Sequence, residues 1–221
     1  MAVAYNPTKV VTGKVRLSYT HLFSPYAHNN GGEAKYSTTV LVPKSDLETK
    51  TRIDSAIEAA KQAGKDKWNG VVPPILAVPV YDGDGVRPSD GMPFGDECKG
   101  HWVFTASSKQ APGVVDLGAN PIMDQSEMYS GVYARVSVNF FPYNSNGKKG
   151  VGCGLNNVQK LTDGEPLGGR STPEEDFGAP QPVQPQYQPP TQQQYPPQPV
   201  QQYQQQYAAI DPITGRPIQP V

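Results

Sequence analysis

The sequence predicts a mainly β domain with one α-helix, followed by a disordered tail. Three observations lead there. Apolar residues recur with period two in several runs, the longest being EMYSGVYARVSVNFFPYN from Glu127 to Asn144. Only one segment combines a capping signal with helical spacing. The composition breaks near Phe177: after it, residues 178–221 are rich in Pro, Gln and Tyr, and only Asp211 and Arg216 are charged. Such a segment cannot bury enough apolar surface to offset its ordering entropy. The chain therefore divides into a folded domain, 1–177, and a tail, 178–221.

The elements follow in order. Val10–Phe23 reads as a long strand with Gly13 as a bend or bulge. Its alternation puts Val11, Val15, Leu17 and Tyr19 on one face and Lys14, Arg16, Ser18 and Thr20 on the other. A loop with Asn30-Gly31-Gly32 turn chemistry leads to a second strand, Ala34–Val42. Ser45 at the N-cap and Glu48 three residues on form a capping box. It opens a helix over Asp46–Gln62 with Ile53, Ile57 and Ala60 as its apolar stripe, ended by Gly64. Val71–Val80 is apolar but interrupted by Pro73, Pro74 and Pro79, so it can only be an edge or broken strand. Asp82–Glu97 is a polar loop, His101–Ala106 a short strand and Val114–Asp116 an extended piece. The long central strand then pairs through a turn at Asn144–Gly147 with Val151–Leu161. No βαβ alternation occurs, which argues against a doubly wound sheet. The count fits a five-stranded OB-type Greek-key barrel, with another small barrel or sandwich as the rival.

Composition narrows the function. The chain carries 19 Lys+Arg and 20 Asp+Glu, a formal charge of −1, so any anion-binding surface must be local. No run approaches membrane-spanning length, and no apolar leader precedes Lys9. Cys98 and Cys153 read as two reduced thiols rather than a disulfide framework. The Asn6-Pro7-Thr8 triplet is no glycosylation acceptor, because proline follows the asparagine.

Catalytic signatures do not assemble. The DGDG at Asp82 lacks calcium-loop spacing, since Val86 and Pro93 stand where ligands belong. Gly150-Val-Gly-Cys-Gly154 is followed by no helix and reads as glycines permitting close backbone approach or a bulge. Gly147-Lys148-Lys149 lacks Walker spacing, and His21, His28 and His101 lack partners at zinc spacing. The expectation is a binding protein that needs no metal and no cofactor; a metal-dependent nuclease ranks third among the readings.

The informative feature is the second face of the long strand. Val132, Ala134, Val136, Val138 and Phe140 form an ordinary core face. Opposite them stand Tyr133, Arg135, Ser137, Asn139 and Phe141, with Tyr143 next. Three readings compete: aromatics that are core because the helix or the tail covers this face, a protein-binding surface, or a platform for single-stranded nucleic acid. Bases stack on exposed rings for about 1–3 kcal/mol each while Lys and Arg neutralise phosphate. Lys14, Arg16 and Lys35, the loop residues Phe23 and Tyr26, and Lys148 and Lys149 at the hairpin tip extend the same patch if the strands share a sheet. Trp102 is a further candidate for stacking, although a strand tryptophan is more often core.

The segments GKVRLSYTHLFSP, KYSTTVLVPKSD, YSGVYARVSV and GLNNVQK, in this order and spacing across nearly all of 1–177, resemble the phage-encoded single-stranded DNA-binding proteins. The resemblance implies an OB-fold barrel that binds single-stranded DNA without sequence preference, in phage replication or recombination in the cytoplasm of the infected bacterium. It supplies no catalytic residue. The alternative of another class is a phage structural or assembly protein that uses the aromatic face and the tail for protein contacts. Bacterial single-stranded DNA-binding proteins end in an acidic tip closed by Phe. Here the nearest match is internal, at Glu174, Glu175, Asp176 and Phe177, a candidate docking motif for phage or host replication and recombination proteins. Tyr187, Tyr195 and Tyr203 recur every eight residues in the tail, which suits weak self-association and homo-oligomers along DNA.

Overall fold

Among the described residues this sequence forms eight strands and one α-helix. They are β1 (Lys9–Val11), β2 (Val15–Tyr26), β3 (Lys35–Pro43), α1 (Leu47–Ala63), β4 (Tyr81–Asp82), β5 (His101–Ser108), β6 (Gly113–Val115), β7 (Tyr133–Ser145) and β8 (Lys148–Thr162). The computed structural model describes residues 6–27, 32–145 and 147–168, all within the compact unit Met1–Thr172. The segment 174–177 and the tail, 178–221, lie outside the described residues.

The long strands close on themselves. β2 pairs antiparallel with β3 and β3 with β5; β5 runs parallel to β8; β8 pairs antiparallel with β7, and β7 returns to β2. The β7–β2 seam is narrow: Val15 pairs with Ala134 and Arg16 with Tyr133, and the Leu17 amide donates to the Val132 carbonyl at 3.0 Å while the Leu17 carbonyl accepts from the Gly131 amide at 2.7 Å. This five-strand ring, with strands one, two, three, five and four in succession, is the OB-fold barrel that the strand count predicts. The helix lies in the connection between the second and third barrel strands. β1, β4 and β6 add to β7, β5 and β8 respectively.

The barrel interior is built by alternation. Val15, Leu17, Leu22, Val40, Val42, Phe104, Ala106, Ala134, Val136, Val138, Phe140, Leu155 and Val158 are buried in one cluster. Ile53, Ala56, Ile57 and Ala60 bring the apolar face of α1 onto it. The predicted stripe of the helix is thus the face that packs.

Three local expectations are corrected. The first strand is two strands, broken at Thr12–Lys14. The corner changes the phase, so Val10 rather than Val11 enters the core, and Val11 is exposed. A bulge follows between Ser18 and His21. It buries Ser18 and turns Tyr19 out at 67% exposure with φ +50°. The helix cap is also shifted by one residue. Asp46, not Ser45, is the N-cap, and its carboxylate accepts from the Thr49 amide at 2.9 Å. Gly13 explains the shift: its amide donates to Thr49 Oγ1 at 2.9 Å, and a Cβ there would stand 2.5 Å from Asp46 Oδ2. The helix start and the β1–β2 corner therefore fit together only with glycine. Finally, Val71–Val80 forms no strand; Ala77 alone bridges to Gly150, as three prolines in ten residues would have it.

The polar loop, 82–98, folds back as a flap on the outer face of β3 and β5. Phe94 packs there against Leu41, Cys98 and Val103. Both cysteines are free and buried, and burial pushes the Cys98 thiol up to about 11. The DGDG motif is filled by a side chain of the protein. Lys44 Nζ lies 2.6 Å from both Asp82 Oδ1 and Asp84 Oδ2. The Lys44 hydrogen bond holds both carboxyls below their usual range, and Asp82 and Asp84 in turn raise Lys44.

This latch has a defined pH window. Carboxyls lowered on folding contribute stability that is complete above the unfolded carboxylate range and lost as pH falls through the folded values. A lysine raised on folding contributes below the ordinary lysine range and loses it as pH rises through the raised value. Protection of the 83–98 amides, measured against their intrinsic exchange rate at each pH, is therefore expected to fall below about pH 4. Lys44→Met should lower it at neutral pH as well. Unchanged flap protection in Lys44→Met would show that the latch does not hold the flap.

Candidate nucleic-acid interface

The outer face of the long strand is open along much of its length. Ala134, Val136, Val138 and Phe140 are buried, whereas Arg135 and Phe141 are exposed and Tyr133 and Tyr143 half-buried. Among the described residues no helix covers these aromatics, since α1 packs its apolar face on the core cluster; the tail, the other cover that the first reading names, lies outside the described residues.

Phe141 and Tyr143 lie over a strip of glycine. Across the β7–β8 ladder, Phe141 stands opposite Gly152 and Tyr143 opposite Gly150. A Cβ at Gly152 would come within 2.7 Å of Phe141 Cζ, and one at Gly150 within 2.7 Å of the Tyr143 hydroxyl. The glycines thus let the rings lie down on the sheet instead of standing off it. That is the close approach expected of Gly150-Val-Gly-Cys-Gly154, with rings rather than backbone as the main visitors. Trp68, buried under this end of β7, donates its indole N–H to the Tyr143 carbonyl at 3.0 Å and so fixes the backbone beneath.

The ladder registers join this strip to a row that crosses the barrel. His21 pairs with Ser37, Ser37 with Ser107, Ser107 with Gly154, Gly154 with Asn139, and Asn139 with Lys9. Each inward neighbour along this row is core: Leu22, Thr38, Ala106, Leu155, Val138 and Val10. The row is therefore a belt of small and polar residues on the outside. Phe141, 43% exposed, borders it at one end. At the other, Tyr26 stacks on His21 with centroids 4.5 Å apart and planes at 10°. Lys35 pairs across from Tyr26.

The remaining predicted residues fall into two groups. Lys14, Arg16 and Tyr133 come together: Lys14 Nζ sits 4.4 Å and the Arg16 guanidinium 5.8 Å from the Tyr133 ring centroid. This ring is already occupied by cations, and the Gly164 backbone crowds its edge. Arg16 is further committed to the carbonyls of Gly131 and Glu165. Arg135 Nε donates to the Thr12 carbonyl at 3.4 Å beside them. Phe23 and Trp102 do not join the belt. Both are half-buried and pack on the core, Phe23 because β2 continues to Tyr26 instead of ending in a loop. Trp102 is covered by Lys50 and Lys44, at 4.5 and 5.1 Å from its ring.

Ion pairing sorts the cations. Lys44, Lys50, Arg52, Lys61, Arg87, Lys99, Lys109 and Lys160 each pair with a carboxylate, mostly on the helix and the flap. Among the described residues, Lys9, Lys14, Arg16, Lys35, Lys65, Arg135, Lys148 and Lys149 form no ion pair with a carboxylate; Lys65 follows the helix and Lys35 starts β3, whereas Lys9, Lys14, Arg135, Lys148 and Lys149 lie on or beside the outer face of β1, β7 and β8, with Arg16 over Tyr133. Lys67, whose Nζ donates to the Pro142 carbonyl at 3.2 Å, adds to the hairpin end without a carboxylate partner among those residues. Sequence reading missed Lys9 and Lys67, which reach the face only through tertiary pairing. It also missed Tyr19, Tyr81 and Phe94, which converge beside the flap.

The strand order and this face define an OB-fold barrel with rings and unneutralised cations on its outer surface. The chain belongs to the family described as the single-stranded DNA-binding protein of Enterobacter phage Enc34, whose model matches residues 8–186. It is 31% identical over 176 residues to putative protein p50 of Acyrthosiphon pisum secondary endosymbiont phage 1, covering 76% of this chain and 91% of that one. Among solved structures it resembles the phage Enc34 single-stranded DNA-binding protein in complex with single-stranded DNA. The TM-score is 0.64 at 29% identity, over 74% of this chain and 92% of the other. A C-terminal truncation of that protein matches with a TM-score of 0.62 at 30% identity, over 74% and 91%.

Proposed function

We propose that this protein binds single-stranded DNA without sequence preference, in phage DNA replication or recombination, and that the belt is the path of the strand. The observation that carries the reading is the segregation of charge. On a chain of net charge −1, most of the described cations without carboxylate partners lie on the face that also presents flat rings, whereas the paired ones sit mainly on the helix and the flap. Free cations neutralise phosphate, and rings on a glycine floor offer bases a stacking surface. Lys9, Lys14, Arg135, Lys148 and Lys149 serve the phosphates; Phe141, Tyr143 and Tyr26 serve the bases. Tyr133 positions Lys14 and Arg16. The Enc34 protein of the same family was solved with single-stranded DNA, which supports the same ligand here.

The reading is one of binding without catalysis, and no cofactor enters it. Among the described residues no helix is long and apolar enough to cross a membrane; the proposed place of action, the interior of the infected bacterium, follows from the phage single-stranded DNA-binding family. Glu174–Phe177 and the tail remain the proposed contact for replication or recombination partners and for neighbouring copies on DNA.

Fluorescence anisotropy of a labelled oligo-dT tests the reading, titrated over several salt concentrations beside a duplex of equal length. Single-strand binding should be much the tighter. For single strands the slope of log K against log salt is about −0.7 per phosphate neutralised, so five cations predict roughly −3.5. Lys148→Ala and Lys149→Ala should each reduce the slope by about 0.7. A slope near zero, or equal affinity for duplex, would refute the reading.

A further inference from the structure

Beyond the belt, the outer face of β3 and β5 does not end in solvent. The flap roofs it and leaves a cavity of about 440 Å³. Thr39 and Thr105 form its floor, their hydroxyls 3.2 Å apart. They are the next residues on the same strand faces after Ser37 and Ser107, so the floor continues the belt. Tyr81 and Phe94 wall one side, with ring centroids 6.4 Å apart and planes at 33°. Arg87 and Ser89 line the flap side. Tyr19 completes the lining from the β2 bulge.

Two features set this cavity apart from a packing defect. Tyr19 reaches it only because its backbone adopts φ +50°, a region uncommon for non-glycine residues, with its amide donated to Ser130 Oγ at 2.9 Å. A large aromatic ring is thereby placed 67% exposed beside the cavity, although leaving it out of the core forgoes burial. The lining also combines aromatic walls with hydroxyls, the Glu97 carboxylate and the Arg87 guanidinium, which Asp90 pairs at 3.0 Å. That is the mixture a planar heterocycle with hydrogen-bonding edges would meet favourably, and the volume accommodates one base with its sugar.

We propose that the cavity takes one nucleobase turned out of the single strand on the belt, so that the flap clamps the strand as well as bordering it. The inference rests on the single-strand reading above and adds a second, recessed contact to its open track. The rings supply stacking that every base can use, so the site needs no sequence preference.

Photo-cross-linking of the full-length protein decides it. Oligo-dT carrying a single 5-iododeoxyuridine, moved through successive positions, is irradiated in complex and the adducts are mapped by mass spectrometry. Adducts at Tyr81, Phe94 or Tyr19, in addition to belt residues such as Phe141, are expected. Firm binding with adducts confined to the belt would overturn the inference and leave the single-strand reading standing. Absence of any oligo-dT binding would overturn both. In parallel, Tyr81→Ala should weaken oligo-dT binding about tenfold with an unchanged salt slope, because a ring and no charge is lost. Tyr81→Phe should bind as the parent does. Equal affinity of Tyr81→Ala and the parent would count against the clamp. The cross-linking uses the unaltered chain, so it does not depend on how the variant folds.

Discussion

Removing the rings at both ends of the belt is expected to abolish most of the affinity for single strands. Phe141→Ala with Tyr26→Ala deletes the ring over Gly152 and the ring stacked on His21. At about 1–3 kcal/mol per stacked base, and with the two sites far enough apart to act independently, the loss is about 2–6 kcal/mol. That is at least about thirtyfold in Kd. No charge is removed, so the salt slope should stay where the parent has it. Oligo-dT anisotropy at fixed salt measures the loss. A double variant that binds as the parent does would show that the strand runs elsewhere on the barrel.

Phe104→Ala should instead attack the fold. Phe104 is 1% exposed on β5 and faces Phe140 of β7 across the barrel, ring centroids 6.3 Å apart. Truncating such a residue forfeits its transfer free energy and leaves a cavity that its neighbours fill only in part, at about 3–5 kcal/mol. Against a typical domain stability of about 5–15 kcal/mol this is a large fraction. Urea unfolding should show the midpoint falling with the slope unchanged. A midpoint within experimental error of the parent's would mean that the barrel interior repacks freely. Phe141→Ala, one position after Phe140 on β7 but on the opposite face, should leave the midpoint far less affected. Phe104→Ala and Phe141→Ala thus separate stability from binding.

Much of this architecture is legible in the chain itself. Period-two alternation in 132–141 assigns Ala134, Val136, Val138 and Phe140 to the interior and Tyr133, Arg135 and Phe141 to the outside, and the structure agrees residue by residue. The helix stripe and its end at Gly64 follow from spacing and capping chemistry. What alternation could not carry is a change of phase. The corner at Thr12–Lys14 and the bulge after Ser18 each reverse which side chains face inward. That is why Val11 and Tyr19 are outside and Ser18 inside. A pattern rule assumes an unbroken ladder, and both breaks depend on what packs against them, the helix start in one case and Ser130 in the other.

The candidate face divides in the same way. Its rings and several of its cations could be named from the long strand and its hairpin tip, because they are close in sequence and share one strand phase. The sequence by itself determined a β domain with one helix, a core face and an unusual aromatic outer face. Only the tertiary structure decided which cations remain without carboxylates and which rings are free. The Tyr133 ring is taken up by Lys14 and Arg16 while Phe141 lies open on glycine. It also decided that Tyr19, Tyr81 and Phe94 meet under the flap from three distant segments. The physical reason is that ion pairs, ring stacking and glycine-permitted contacts act over a few ångströms in space. Distances of that kind are set by barrel closure and loop docking, which no local pattern encodes.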